Sequence, residues 1–130
     1  MNERTRIMNM RPGPEMDKEI TAMIEHISGE KRYVLPFTTD PVSALELWQF
    51  VSLAFGSVAL VKLTGAPQMI GEFCGIKDDE DEETYVYVMT GDWMESLAKA
   101  SLLYHKGLFG ESVNPDYEMI MKEAPFRFPH

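Results

Sequence analysis

"SVALVKLTGAPQMIGEFCGIKDDEDEETYVYVMT", residues 57–90, contains three runs that read as β-strands: "SVALVKL" (57–63), "QMIGEFCGI" (68–76) and "TYVYVMT" (84–90). Thr64-Gly65-Ala66-Pro67 is short and turn-like, so the first two runs form an antiparallel hairpin. Six consecutive carboxylates, Asp78, Asp79, Glu80, Asp81, Glu82 and Glu83, make the second connection, and a meander is the economical topology. Along these runs both alternating sets are apolar: Ala59, Val61 and Leu63 against Val58 and Leu60, and Tyr85, Tyr87 and Met89 against Val86 and Val88. A sheet with one wet face alternates cleanly, so this pattern requires cover on both faces. The expected fold class is therefore α+β: a small antiparallel sheet of three to four strands with helices on both faces, an α-β-α sandwich. Trp48, Val51, Val61, Phe73, Val86, Val88, Trp93 and Leu97 are its expected core.

The flanking segments supply the helices. After the Pro12-Gly13-Pro14 breaker, Met16, Ile20, Met23, Ile24 and Ile27 fall on one helical stripe that ends at Gly29. Tyr33 to Phe37 reads as a short strand. "TTDP" then offers a side-chain cap at Thr39 or Asp40 and a proline in the first helical turn. The helix that follows runs to Phe55, with Gly56 stopping it. Its polar strip is thin, Ser43, Glu46, Gln49 and Ser52, and Phe50 and Leu53 spill round the edges, so it is buried on several sides or sits in an interface. "GDWMESLAKASLLYHKG" (91–107) is capped by Asp92, with Glu95 as its capping-box partner. Trp93, Leu97, Ala100 and Tyr104 form its core stripe, while Leu102 and Leu103 point away and either meet the C-terminal segment or mark an interface. This divides the chain into a flexible arm (1–15), a sandwich domain (16–107), and a short helix with an extended tail packed on the domain (108–130), where Phe126 and Phe128 need a groove.

Composition narrows the functional classes. At 130 residues the chain is one domain, and its net charge of −9 works against general binding to nucleic acid or anionic membrane. Residues 1–14 carry Arg4, Arg6 and Arg11 without an apolar signal core, and no stretch approaches the roughly 20 apolar residues of a membrane helix. The single cysteine, Cys74, excludes an intramolecular disulfide and a multi-cysteine zinc site. Together these give a cytoplasmic expectation.

No motif points to catalysis, a metal or a cofactor. The acidic run lacks the alternating oxygen ligands, central glycine and distant glutamate of a calcium loop. It reads as a solvated connection, or as a docking site for a basic partner. Cys74 has no acid–base signature and reads as a small buried hydrophobe. His26, His105 and His130 share no ligand spacing, and Asp40 and Asp92 are explained as N-caps. Two classes survive. In the first, the chain binds another protein stoichiometrically through Phe50, Leu53, Leu102 and Leu103, with Asp78, Asp79, Glu80, Asp81, Glu82 and Glu83 as an electrostatic guide. In the second, it binds a small ligand or nucleotide, with weak enzymatic activity, using Lys31, Arg32, Lys62 and His105. The apolar circumference of the 41–55 helix, with Leu102 and Leu103, also points to a homodimer.

The leading helix, "FTTDPVSALELW" (37–48), the meander and "WMESLAKASLL" (93–103) are similar to the phage ABA-sandwich domain, a family of small bacteriophage proteins. The resemblance spans Met16 to Gly107 and rests on the turn into an alanine-bearing helix at Phe37 to Leu45 and on the late helix at Leu97 to Leu103. The acidic run and the residues after Gly107 lie outside it. The members are mostly of unassigned function, so the resemblance implies a fold and a phage origin more than a mechanism, and it supplies no catalytic residues. With it, the first class becomes a non-catalytic phage-type accessory protein in the host cytoplasm that binds a host or viral protein, inhibition of a host system being one such role.

Overall fold

The computed structural model describes residues 2–64 and 69–113. Among these residues four helices and four strands follow in the order α1 (Glu3–Asn9), α2 (Pro14–Ser28), α3 (Pro41–Ala54), β1 (Ser57–Thr64), β2 (Met69–Lys77), β3 (Tyr85–Thr90), α4 (Trp93–His105) and β4 (Gly110–Val113). The helix boundaries follow the capping chemistry. Gly29 ends α2 at φ 75°, its N–H donating to the Glu25 carbonyl at 2.8 Å. The side chains of Asp40 and Asp92 accept N–H bonds from Ser43 and Glu95, at 3.1 Å each. The reciprocal half of the Asp92 capping box is not made. The Asp92 N–H goes to the Thr90 hydroxyl at 3.2 Å, and the Glu95 carboxylate goes to Lys99.

The sheet order is β1-β2-β3-β4, and the fold is the expected α+β arrangement of helices on a small sheet. β1, β2 and β3 form the antiparallel meander, with Val61 opposite Phe73 and Phe73 opposite Met89. β4 pairs parallel to β3, so the sheet is mixed and not antiparallel throughout. Parallel pairing needs a crossover, and the 13 residues of α4 provide it as they cross one face of the sheet.

On that face Val58, Leu60, Cys74, Ile76, Val86 and Val88 join a core completed by the helices. α4 is its centre. Residues Ser96 to Leu103 of α4 are all buried, between the sheet and contacts from α1, α2 and α3. Small side chains at Ser96, Ala98, Ala100 and Ser101 allow this close approach, and the buried hydroxyls of Ser96 and Ser101 donate to the carbonyls of Glu72 and Leu97, at 2.7 Å each. On the second face Phe73 and Met89 are also buried, and the Phe73, Tyr87 and Tyr85 rings stack in a row with centroids 5.4 Å and 4.4 Å apart. Phe73 and Met89 are thus buried on the second face while Val61, Tyr85 and Tyr87 there stay half-buried, and the core formed with the helices is on the α4 side.

Several expectations are corrected. Residues 3–9 of the supposed arm are helical: Asn2 caps α1, and Ile7 and Met8 enter the core. Arg4 donates to the Ser112 hydroxyl at 2.8 Å and the Phe109 carbonyl at 2.7 Å, while Lys99 donates to the Met8 carbonyl at 2.7 Å. Residues 31–36 form no strand. They run over α2 and α3 without regular structure, and a tight turn closes where the Phe37 N–H donates to the Leu35 carbonyl at 2.9 Å. Leu102 and Leu103 do face away from the sheet, but they meet the helical layer and are buried. Trp48, Val61 and Trp93 are half-buried, whereas Val51, Phe73, Val86, Val88 and Leu97 are fully inside. Residues 65–67 and the C-terminal helix and tail with Phe126 and Phe128 lie outside the described residues.

Candidate functional site

α3 is the helix whose apolar residues outnumber the places available to bury them. Leu47 and Val51 enter the core, and Trp48 and Phe50 pack along its edges. Ser43 is buried too, its hydroxyl donating to the capping Asp40 at 2.9 Å, which removes it from the polar strip expected on the outside. The outward face is left with Val42 (67% exposed), Leu45 (49%) and Leu53 (91%) around Gln49 and Ser52. Leu45, Trp48, Gln49, Ser52 and Leu53 line a shallow groove of about 500 Å³. Glu46 is the one ionisable residue in the helix sequence.

The acidic turn lies at the C-terminal end of this helix. Gly56 follows α3 and packs directly on the backbone where the turn begins: a Cβ at position 56 would lie 2.3 Å from the Lys77 carbonyl oxygen. One residue further on, the Ser57 hydroxyl donates to Asp79 at 2.6 Å. Burial raises the Tyr104 phenol above its ordinary range, and the nearby carboxylates of Asp78, Asp79 and Asp81 add to the shift. Tyr104 in turn stacks on Phe55, with ring centroids 4.7 Å apart.

Two of the six acids build the turn itself. Asp78 accepts from the Glu80 and Asp81 N–H groups at 2.8 and 2.9 Å, and Asp81 accepts from the Glu83 N–H at 3.0 Å and the Thr84 hydroxyl at 2.7 Å. The Thr84 and Glu83 bonds hold the Asp81 carboxyl below its usual range. Glu80, Glu82 and Glu83 are exposed, and Glu82 reaches Lys77 only at 4.0 Å. Among the described residues no group of three or more His, Cys, Asp or Glu side chains is placed to hold a metal ion. No described helix is long and apolar enough to cross a membrane.

The residues singled out from the sequence are therefore sorted by the fold. Leu53 is exposed three residues before Gly56, where the start of the acidic turn packs against the end of α3, and Phe50 is half-buried against the core. Leu102 and Leu103 are removed from the surface. Lys31 and Arg32 line a cavity of about 310 Å³ with Phe50, whereas Lys62 lies on β1 and His105 packs elsewhere. The His105 ring lies 5.4 Å from that of His26, and burial, followed by the nearby His26 and Lys106, lowers its pKa. The Cys74 thiol is buried in the sheet, and burial pushes its pKa well up, away from thiolate chemistry.

Sequence reasoning missed the exposed Val42 and Leu45 because a helical wheel cannot say which side faces the protein. It also missed the cavity, having assigned its wall at Tyr33, Leu35 and Phe37 to a strand. The sequence did name Lys31 and Arg32 as ligand-binding candidates, but it grouped them with Lys62 and His105, which the fold places elsewhere. Comparison with family models, with curated proteins and with solved structures finds no match to this chain. The molecule defines itself as an α+β protein with an apolar helix face bordered by acid.

Proposed function

We propose that this chain acts by stoichiometric protein binding: the outer face of α3 supplies the apolar anchor, and the acidic turn guides a partner whose apolar groove is edged by basic residues. The single observation that carries this is the adjacency of the two features. Leu53, almost fully exposed, ends the apolar strip a few residues before Gly56 packs against the start of the acidic turn. Buried apolar contacts set affinity, while charge at the rim mainly sets the rate of encounter. The resemblance to phage ABA-sandwich proteins supports a reading in which such a partner is a host or viral protein met in the host cytoplasm. A homodimer now rests on α3 alone, since Leu102 and Leu103 are inside.

Leu53→Asp is the direct test, because Leu53 contributes little to the core. Affinity capture from host lysate should yield a partner with wild type that is lost with Leu53→Asp, while thermal melting stays unchanged. Glu80→Gln combined with Glu82→Gln and Glu83→Gln should slow association and flatten its salt dependence. Light scattering on the same proteins reports whether a second copy covers the face, in which case Leu53→Asp gives a monomer. A captured partner that binds Leu53→Asp and Leu45→Asp as tightly as wild type defeats the proposal.

A further inference from the structure

The geometry points to a second site, separate from the outer face of α3: the cavity between α2, the 30–37 connector and α3 binds a small amphipathic anion with a ring-sized apolar body. The cavity, about 310 Å³, is in the range that encloses such a molecule. Ile24 and Phe37, both buried, form its floor, and Phe50 forms its α3 wall. Lys31 and Arg32 stand at its mouth, giving two positive charges in the lining of a chain whose net charge is −9. The connector is held in place at Arg32, whose backbone N–H donates to the Glu25 carboxylate at 2.9 Å, and the Arg32 guanidinium carbon lies 6.0 Å from the Phe50 ring centroid. A guanidinium over an aromatic face is a stacking platform for a flat ring, and its N–H fork suits a phosphate, sulfonate or carboxylate.

Tyr33 is 92% exposed although it lines this cavity, so its ring adds apolar surface that the protein itself does not bury. Glu46, also in the lining, is an acceptor for a ligand amino or hydroxyl group. An anionic group at the connector, a ring on Phe50 and a donor toward Glu46 describe a nucleoside monophosphate, whereas an aromatic sulfonate or carboxylate satisfies the first two alone.

Titration calorimetry with naphthalene-1-sulfonate, uncharged 1-naphthalenemethanol, AMP and adenosine separates these cases. At least one anion should bind about tenfold or more tighter than its uncharged counterpart. The double variant Lys31→Ala with Arg32→Ala should erase that difference, and circular dichroism should show the fold intact because both side chains are exposed. Phe50→Leu should weaken charged and uncharged probes alike, and Leu53→Asp should change neither, which keeps this site distinguishable from the protein-binding face. If AMP is preferred over the sulfonate, Glu46→Gln should remove the preference. Failure of both anions to bind at up to about 10 mM overturns the assignment, as does anion binding that survives loss of both cations.

Discussion

A methyl group added at position 56 would lie 2.3 Å from the Lys77 carbonyl oxygen and 3.2 Å from the Asp78 Cα, and the backbone there holds φ at 151°. Both the clash and the conformation exclude a side chain, so Gly56 is what lets α3 end directly against the acidic turn. Gly29 has φ 75° but open space around its missing Cβ. Gly56→Ala should therefore cost about 3 kcal/mol or more in urea unfolding, and Gly29→Ala only about 1 kcal/mol, the intrinsic cost of a left-handed residue. Equal costs would show that the 56–78 contact yields easily. The sequence identified both glycines as helix stops, but the packing that separates them was invisible, because Lys77 lies 21 positions away from Gly56 along the chain. Lys99 shows the same limit. It reads as an ordinary helical lysine, yet it is fully buried, with its ammonium 2.6 Å from Glu95 and 2.7 Å from the Met8 carbonyl, tying α1 to α4.

Elements were legible where local chemistry decides them. The caps at Asp40 and Asp92, the stop at Gly29 and the three-stranded meander all come from residues within one turn or one hairpin. The roles of α3 and α4 were not. α3 is the more apolar by composition, yet it lies on the outside, while α4, with Ser96, Lys99 and Ser101, is buried over eight successive residues. Small side chains, not hydrophobic ones, let a helix be surrounded, and a wheel of hydropathy does not weigh size. The acidic turn, by contrast, behaves as its composition implied. Its exposed glutamates gain little from the fold and repel one another, while Asp78 and Asp81 only replace bonds that a tight turn makes with its backbone. Because Lys77 pairs with Tyr85, replacing residues 78–83 by Asn-Gly leaves Asn-Gly-Thr84 as a three-residue hairpin connection, a common length. That variant should melt cooperatively with a midpoint at or above wild type. A broad transition in scanning calorimetry would reveal a structural role for the turn.

At the scale of the molecule, and among the described residues, acid acts on His105 in one pH window and on Glu3, Glu19 and Asp81 in a lower one. His105 sits half-buried at the end of α4 with its ring 5.4 Å from that of His26 on α2, and its pKa is lowered, first by burial and then by the neighbouring His26 and Lys106. The unfolded chain thus binds this proton more readily than the folded one. The neutral ring's contribution is complete above pH 6.5 and is lost as pH falls from there through the lower folded value. Glu3 and Glu19 are lowered from 4.5, chiefly by hydrogen bonds from Arg6, so their contribution is present above 4.5 and is lost only below it. Melting temperature should therefore fall in two stages, a shallow decline beginning near pH 6.5 and a second one below pH 4.5. His105→Gln should flatten the first stage and leave the second in place, whereas Arg6→Gln should do the reverse, because it removes the donor that holds both glutamates charged. Salt separates them further: the Arg6 contacts with Glu3 and Glu19 are partly exposed and screened, while the desolvation that governs His105 is not. Thermal melts from pH 8 to pH 3 on the three proteins check this, and a wild-type curve flat from pH 7 to pH 5 would show that the His105 environment relaxes to admit the proton.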